Sequence, residues 1–461
     1  PNFLSHQGPC LAIGDINNDK KQDVYLGGAK GHPGQLFIQK SNGTLQKLNV
    51  PDFEKDQLFN DASAVFFDAN GDGLLDLLVA SGGYDVNEND SLLESRLYIN
   101  NGNGIFKRSR NALPTNKICA AVVKVSDIDG DGDLDVFIGG RVIPGKYPQT
   151  PNSYLLLNDG TGHFTDATPP ILKSIGMVTD AAWVDINDDK MPDLIVVGEF
   201  MPVKIYVNHH GQFTDASNQY IHFPNNGWWN RIAVADMDND GDMDLILGNY
   251  GLNTQFKVSD KTPMELYFKD FDGNGSIDPI LCYYINGISY PAFSKDDITE
   301  QIPSLKNKFL QYHDYANASI TDLFTKEQLN DAGKLVCNNL ASVYLENKGK
   351  AGFQLNQLPI EAQYAPVFGI SIVDVNADGK KDILLTGDNT FTRIKFGRYD
   401  ANHGVLLLGD GKGHFKYVPQ YESGLKIRTN VRSAEVIQLG EQQHILIGSN
   451  DTSVIDLKYR H

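Results

Sequence analysis

The sequence predicts an all-β propeller, with seven blades favoured and eight as the alternative, on three features of the 461-residue chain. A nine-residue Asp/Asn loop recurs seven times, beginning at Asp15, Asp68, Asp127, Asp185, Asp236, Asp270 and Asp374. Each copy lies between two short apolar runs, as AAVVKVS and VFIGG flank the copy DIDGDGDLD. A second, Gly/Asn-rich turn follows most copies, in RLYINNGNGIF, SYLLLNDGTGHF, KIYVNHHGQF, SVYLENKGKAGF and VLLLGDGKGHF. Four short strands in a repeat of roughly 40–60 residues is the pattern of a propeller blade.

In each unit strand A runs into the Asp loop, strand B leaves it, strand C follows, and the Gly/Asn turn leads to strand D. His163, His210 and His414 fall in or beside those turns and are expected to pack rather than catalyse. The rhythm breaks after Asp236. The loop at Asp270 follows too closely for two more strands of ordinary length to fit between. Strands A and B around Asp236 are therefore joined to strands C and D at Leu340 to Leu358, and residues 251–336 become an insertion in a single propeller domain, 1–461. The insertion opens with its own Asp-loop hairpin, ELYFKDFDGNGSIDPILCYYI, and continues with helical patterning. Pro303 opens PSLKNKFLQYHDY, and Thr325 with Gln328 makes a capping box before EQLNDAGKL. The last unit, RSAEVIQLGEQQHILIGSNDTSVIDLKY, replaces the Asp loop with GEQQ; its fourth strand is expected from Asn2 to His6, which would close the ring. Eight blades would result if the Asp270 hairpin and the segment after it formed a blade.

The spacing within the loop fits a hard cation. Calcium takes about six to eight oxygens at roughly 2.3–2.6 Å, and alternate residues of a tight loop can aim that many inward. Position 1 is Asp15, Asp68, Asp127, Asp185, Asp236, Asp270 or Asp374; position 3 is Asn17, Asn70, Asp129, Asn187, Asp238, Asp272 or Asn376. Position 5 is Asp19, Asp72, Asp131, Asp189, Asp240, Asn274 or Asp378, and position 9 is Asp23, Asp76, Asp135, Asp193, Asp244, Asp278 or Asp382. Position 7 would offer its backbone carbonyl, from Lys21, Leu74, Asp133, Met191, Asp242, Ser276 or Lys380. Up to seven Ca²⁺ are therefore expected. An EF-hand would need a Glu at position 12, but these copies carry apolar strand residues there, from Leu26 to Leu385. An Asp-rich turn that binds nothing is the bland reading of one copy, and seven copies with every ligand position filled argue against it. Position 6 is Gly in five copies; Lys20 and Lys190 break the rule, and their loops are expected to bind most weakly.

The formal net charge of −18 is largely carried by these loops, so bound dications would offset most of it. With no basic stripe, nucleic acid is excluded as an expected partner, and no run is long and apolar enough for a transmembrane segment. The start at Pro1 reads as a piece of a longer polypeptide. Weak calcium modules stay loaded where calcium is abundant, which points outside the cytosol. Cys10, Cys119, Cys282 and Cys337 lack metal-ligand spacing and are expected as free thiols, with Cys282–Cys337 the one bridge to check.

At these loops the chain resembles the FG-GAP/VCBS repeat family, the calcium-loop propellers of integrin α heads and many secreted bacterial proteins. Phe368-Gly369 matches the family's FG, and the pairs beginning at Gly27, Gly82 and Gly139 stand where its GAP often lies. The insertion and GRYDANHGVLLLGDGKGHF also resemble large exported proteins of Bacteroidetes-type bacteria, some of which accompany outer-membrane nutrient uptake. The resemblance implies a calcium-binding β-propeller at a bacterial surface or periplasm. The family spans adhesion heads, lectin-like carbohydrate-binding modules and polysaccharide lyases, so fold leaves function open.

The B–C and D–A connections lie on the face opposite the Asp loops. Arg141, Arg231, Arg393 and Arg398 fall there, with Tyr84, Tyr147, Trp228 and Trp229. One reading is an aromatic and arginine platform for a glycan or protein ligand; another is that a Trp plugs the ring. Ser/His/Asp elbow, phosphate loop and catalytic zinc signature are all missing from the sequence. A non-enzymatic binding module is thus favoured, with a polysaccharide lyase and a purely architectural domain as alternatives.

Overall fold

The computed structural model describes residues 7–450 and 452–459. These form eight antiparallel sheets, seven of which close a propeller. The inner strands Leu11–Gly14, Asn60–Phe67, Cys119–Ser126, Met177–Val184, Arg231–Ala235, Val367–Val373 and Val431–Leu439 pack side by side in that order, and the last meets the first. Small residues recur in them, as in NDASAVFF, CAAVVKVS and MVTDAAWV, because the wedge between blades narrows toward the axis. Strand B is the buried core of each blade, with every residue of Asp135–Val142 and Asp193–Met201 buried. Strand D is the outer edge, and in Gln212–Asp215 only Phe213 is buried. The second glycine of the Gly139-Gly140 pair allows close approach: a Cβ on Gly140 would stand 2.1 Å from the Asn152 carbonyl oxygen.

In five blades the A–B pairing slips by one residue near the start of strand A, at Asp61/Ser63, Gly139/Gly140, Val178/Asp180, Val367/Gly369 and Val431/Ser433. Such bulges sharpen the local twist and redirect side chains, here toward the ring axis at the end remote from the Asp loops.

The fifth blade is discontinuous. Its strands Arg231–Ala235 and Asp244–Gly248 pair with Val343–Asn347 and Phe353–Gln357. Between them the chain builds a separate sheet in the order Ile288–Pro291, Asp278–Ile285, Met264–Lys269, Gly333–Cys337. Short helices Lys295–Gln301, Tyr312–Ala316, Ile320–Leu323 and Lys326–Asn330 cover one face of it, over a core that includes Tyr267, Cys282, Ile298 and Phe324. Its other face meets the ring through Met264, Leu266, Leu281 and Cys337. The capping box forms as expected, with Gln328 N donating to Thr325 Oγ1 at 3.2 Å and Thr325 N to Gln328 Oε1 at 2.9 Å. The expected Pro303 helix is split into a 3₁₀ turn, Pro303–Asn307, and the later α-turn, which lets both Phe309 and Tyr315 turn inward.

All four cysteines are buried free thiols. Cys282 and Cys337 lie in the cores on opposite faces of the insertion sheet, so they do not pair. His163, His210 and His414 are exposed on their turns rather than packed. The seventh blade shows three strands among the described residues, and the expected fourth, Asn2 to His6, lies outside them. Its closure onto the first blade is polar: Gln39 Nε2 donates to Gln438 O at 2.9 Å, Gly440 N to Gln39 Oε1 at 2.9 Å, and Ser433 Oγ to Pro9 O at 2.8 Å. No helix of the described residues is long and apolar enough to cross a membrane.

Candidate functional site

The seven Asp loops share one set of hydrogen bonds. The position-6 N–H donates to the position-1 carboxylate in all of them, from 2.7 Å for Lys20 to Asp15 up to 3.3 Å for Gly241 to Asp236. The position-5 N–H donates to the position-3 side-chain oxygen, as Asp19 to Asn17 at 3.0 Å and Asp240 to Asp238 at 3.3 Å. The position-7 N–H donates to position 5, as Lys21 to Asp19 and Ser276 to Asn274. These bonds curl the loop around its position-1, position-3 and position-5 side chains.

Position 9 is the fixed end. Asp23, Asp76, Asp135, Asp193, Asp244 and Asp382 each accept the position-2 N–H on one oxygen and an N–H of strand C on the other, as Asp135 does from Ile128 at 3.1 Å and Asn158 at 2.9 Å. Asp278 accepts from Phe271 N and from the Gln301 side chain. Burial pushes the Asp23, Asp76, Asp135 and Asp193 carboxyls up to about 6, against the pull of those donors.

Three loops bring three carboxylates together with oxygens within 4.8 Å of one another: Asp127, Asp129 and Asp135; Asp236, Asp238 and Asp244; Asp270, Asp272 and Asp278. In the other four the amide of Asn17, Asn70, Asn187 or Asn376 replaces one carboxylate. A cation suits this donor set. Asp236 Oδ1 is buried with no hydrogen-bond partner among the described residues, as an oxygen reserved for a metal would be.

Two loop features escaped the sequence reading. Position 4 is left-handed in every copy, from φ 57° at Asn18 and Ala377 to 84° at Gly130; its mark in the sequence is Gly, Asn or Asp in all copies but one. The Asn closing strand C was also passed over. Asn100, Asn158 and Asn208 each reach across to the preceding blade, donating to the position-2 carbonyls of Ile16, Ala69 and Ile128 at 2.7, 2.9 and 2.8 Å. A third feature left no trace in the motifs: Asp61 accepts the Tyr25 hydroxyl and pairs with buried Arg96 between the first two blades.

On the opposite face the expected aromatic platform is corrected. Trp228 and Trp229 are each 1% exposed. Trp229 lies in the core between the fourth and fifth blades, its indole N–H donating to Asn225 O at 3.1 Å. Trp228 stacks on Tyr250 at 4.8 Å and supports the insertion sheet. Burying two indoles outweighs displaying them, and the insertion supplies the apolar cover. Arg141 is also buried rather than displayed, paired with Glu199, which accepts the Tyr147 hydroxyl as well. Tyr84 is half-buried. Arg231 straps three blades together, donating to Phe368 O at 2.8 Å and Arg432 O at 2.6 Å. Arg393 and Arg398 remain exposed, 3.7 Å from Asp297 of the insertion and 3.2 Å from Asp400.

Arg141 and Arg231 do meet, in a place the sequence did not indicate. A cavity of about 340 Å³ runs along the ring axis, lined by all seven inner strands and by both arginines. Asp180 stands within it, 3.7 Å from Lys124 and 3.6 Å from Arg231. Burial raises the Glu435 carboxyl in the same wall, against Lys124 and Arg231.

Solved structures similar to this chain include Saccharomyces cerevisiae Sqt1, at 11% identity over 100% of this chain and 98% of that one with a TM-score of 0.46. They also include BBS1N in complex with ARL6DN, at 10% identity, 100% and 94% coverage and a TM-score of 0.44, and the V. cholerae biofilm matrix protein Bap1, at 11%, 100%, 89% and 0.37. No curated protein sequence matches. The family model for the FG-GAP-like repeat matches residues 15–79, 68–138 and 185–247, each match running from position 1 of one Asp loop into the strand that follows the next. Repeated loop, flanking strands and closed ring agree with those matches: this chain is a β-propeller that carries FG-GAP-like repeats over residues 15–138 and 185–247.

Proposed function

We propose that the chain is a calcium-stabilised binding module, working outside the cytosol, that recognises a glycan or protein on the face opposite the Asp loops. The observation that carries the reading is the hydrogen-bond pattern common to seven loops, three of which bring three carboxylates together. Positions 1, 3, 5 and 9 would hold the ion with side-chain oxygens and position 7 with its carbonyl. Bound calcium supplies the positive charge that lets these carboxylates stay ionised side by side. Recognition is assigned to the other face because the insertion is anchored there: Lys395 pairs with Asp297 at 2.7 Å, beside exposed Arg393 and Arg398.

Chelation should lower the melting temperature, and metal analysis after purification in calcium-containing buffer should find several ions per chain. An unchanged melt with no calcium bound refutes the scaffold half of the reading. Glycan and protein arrays test the other half: a hit should weaken at least tenfold in Arg393→Ala/Arg398→Ala, with calcium content unchanged.

A further inference from the structure

We infer that the axial cavity is a binding site for the carboxylate of a small organic acid. The inference rests on the face remote from the Asp loops being the recognising one, and gives that face its ligand chemistry.

The cavity, about 340 Å³, is at the small end of ligand pockets. Three of its lining residues carry buried polar atoms without a hydrogen-bond partner among the described residues: Arg141 Nη1, Asn230 Nδ2 and both side-chain amide atoms of Gln7. Arg141 and Asn230 are only 8% and 9% exposed, so bulk water does not answer them, and a buried unmade donor is costly. All three lie at the same end. Asn230 immediately precedes inner strand Arg231–Ala235, Gln7 precedes Leu11–Gly14, and Arg141 closes its strand B, so each stands at the end remote from the Asp loops.

Arg141 is held in place by its other nitrogen. Nη2 donates to Glu199, whose second oxygen receives the Tyr147 hydroxyl, so the guanidinium is fixed with Nη1 left over. Charge in the wall is matched, with Lys124 and Arg231 facing Asp180 and Glu435. Asp180 is shared between Lys124 and Arg231, and also accepts the Ile232 N–H at 3.1 Å. The unanswered atoms at this end are three donors and one acceptor, and one of the donors belongs to a guanidinium. A ligand must bring acceptors, and a carboxylate brings two, one for Arg141 Nη1 and one for its neutral neighbours, in charge-assisted hydrogen bonds.

The far wall settles the rest of the molecule. Toward the Asp loops the cavity is lined by Ile13, Val65, Phe66 and Val123, a surface that an inorganic anion would leave bare and a short carbon skeleton would cover.

The test uses the calcium-loaded full chain, titrated calorimetrically with hexanoate, glucuronate and neutral hexanamide. At least one acid should bind saturably at one per chain, with hexanamide at least tenfold weaker. Asn230→Ala should weaken the acid at least tenfold, and Asn230→Asp, which sets a carboxylate at the same spot, should abolish it; if the Asp variant fails to fold, the Ala variant decides. Absence of saturable acid binding, as from a cavity holding water only, or undiminished binding in Asn230→Ala, overturns the inference. Acid binding with empty arrays would sink the recognising-face reading alone, whereas array hits without acid binding would sink this inference alone.

Discussion

At position 6 of the Asp loop, Lys20 and Lys190 adopt φ of 66° and 70°, the conformation that five glycines adopt in the other copies. Their N–H groups reach Asp15 and Asp185 at 2.7 and 2.8 Å, as close as any glycine does. The hydrogen bonds therefore dictate the backbone and the lysines bear the strain, which for an L-residue is about 1 kcal/mol or somewhat more. Lys20→Gly and Lys190→Gly should each raise stability by about 1 kcal/mol in calcium, read from the melting temperature; unchanged melting would mean that the strain is relieved elsewhere. A second residue sets a pH dependence apart from the metal loops. Asp388 is buried and accepts the Asn402 N–H at 2.8 Å. Burial pushes its carboxyl up to about 7 from an ordinary 3.8, with Asp400 adding to the rise and Asn402, Arg432 and Arg398 opposing it. A raised folded-state value means that the associated stability is complete below about pH 4 and is lost as pH rises through 7. Asp388→Asn keeps the acceptor and removes the charge. Its stability advantage over the parent, read from the melting temperature, should grow between pH 4 and pH 7 and then level off, on the order of 4 kcal/mol. A constant difference across that range would assign the proton to another group.

Strands and turns were readable because each carries a local mark: apolar runs of strand length, Asp at fixed offsets, Gly or Asn where the chain reverses. What joins one blade to the next was not, because a blade's partner is named nowhere in its own repeat. The Asn at the end of strand C shows the difficulty. In Asn158 it donates to Ala69 O at 2.9 Å and Leu134 O at 3.3 Å and accepts from Gly160 N at 3.2 Å, linking two blades. The same letter in Asn347 reaches only its own blade, at Met243 O and Gly349 N. Asn158→Ala should therefore cost about 2 kcal/mol, and Asn347→Ala distinctly less, measured as shifts of the urea midpoint. Equal costs would place the contribution within the blade rather than between blades. The split of the helix expected at Pro303 has a similar origin, since Phe309 and Tyr315 answer to the sheet beneath them and not to helical period.

Across the whole ring, spacing alone was enough to join the strands around Asp236 to Val343–Asn347 and Phe353–Gln357, because the loop at Asp270 left no room for the alternative. Burial of Trp228 and Trp229 could not be read that way. A Trp pair in a connection looks the same whether it faces solvent or lies under an insertion, and only Tyr250, Phe256 and Met264 closing over Trp228 decide it. The axial cavity was equally hidden, being lined by residues of seven strands far apart in sequence. The discontinuity of the fifth blade also bears on how the molecule is made. Four blades can assemble in order as the chain leaves the ribosome, but the fifth must wait half-built, its strand Asp244–Gly248 an open edge until Val343–Asn347 has been synthesised. The insertion sheet, which packs on Trp228 and its neighbours, is synthesised in full before that second half, so the cover for this side of the ring leaves the ribosome ahead of the strands that complete the blade.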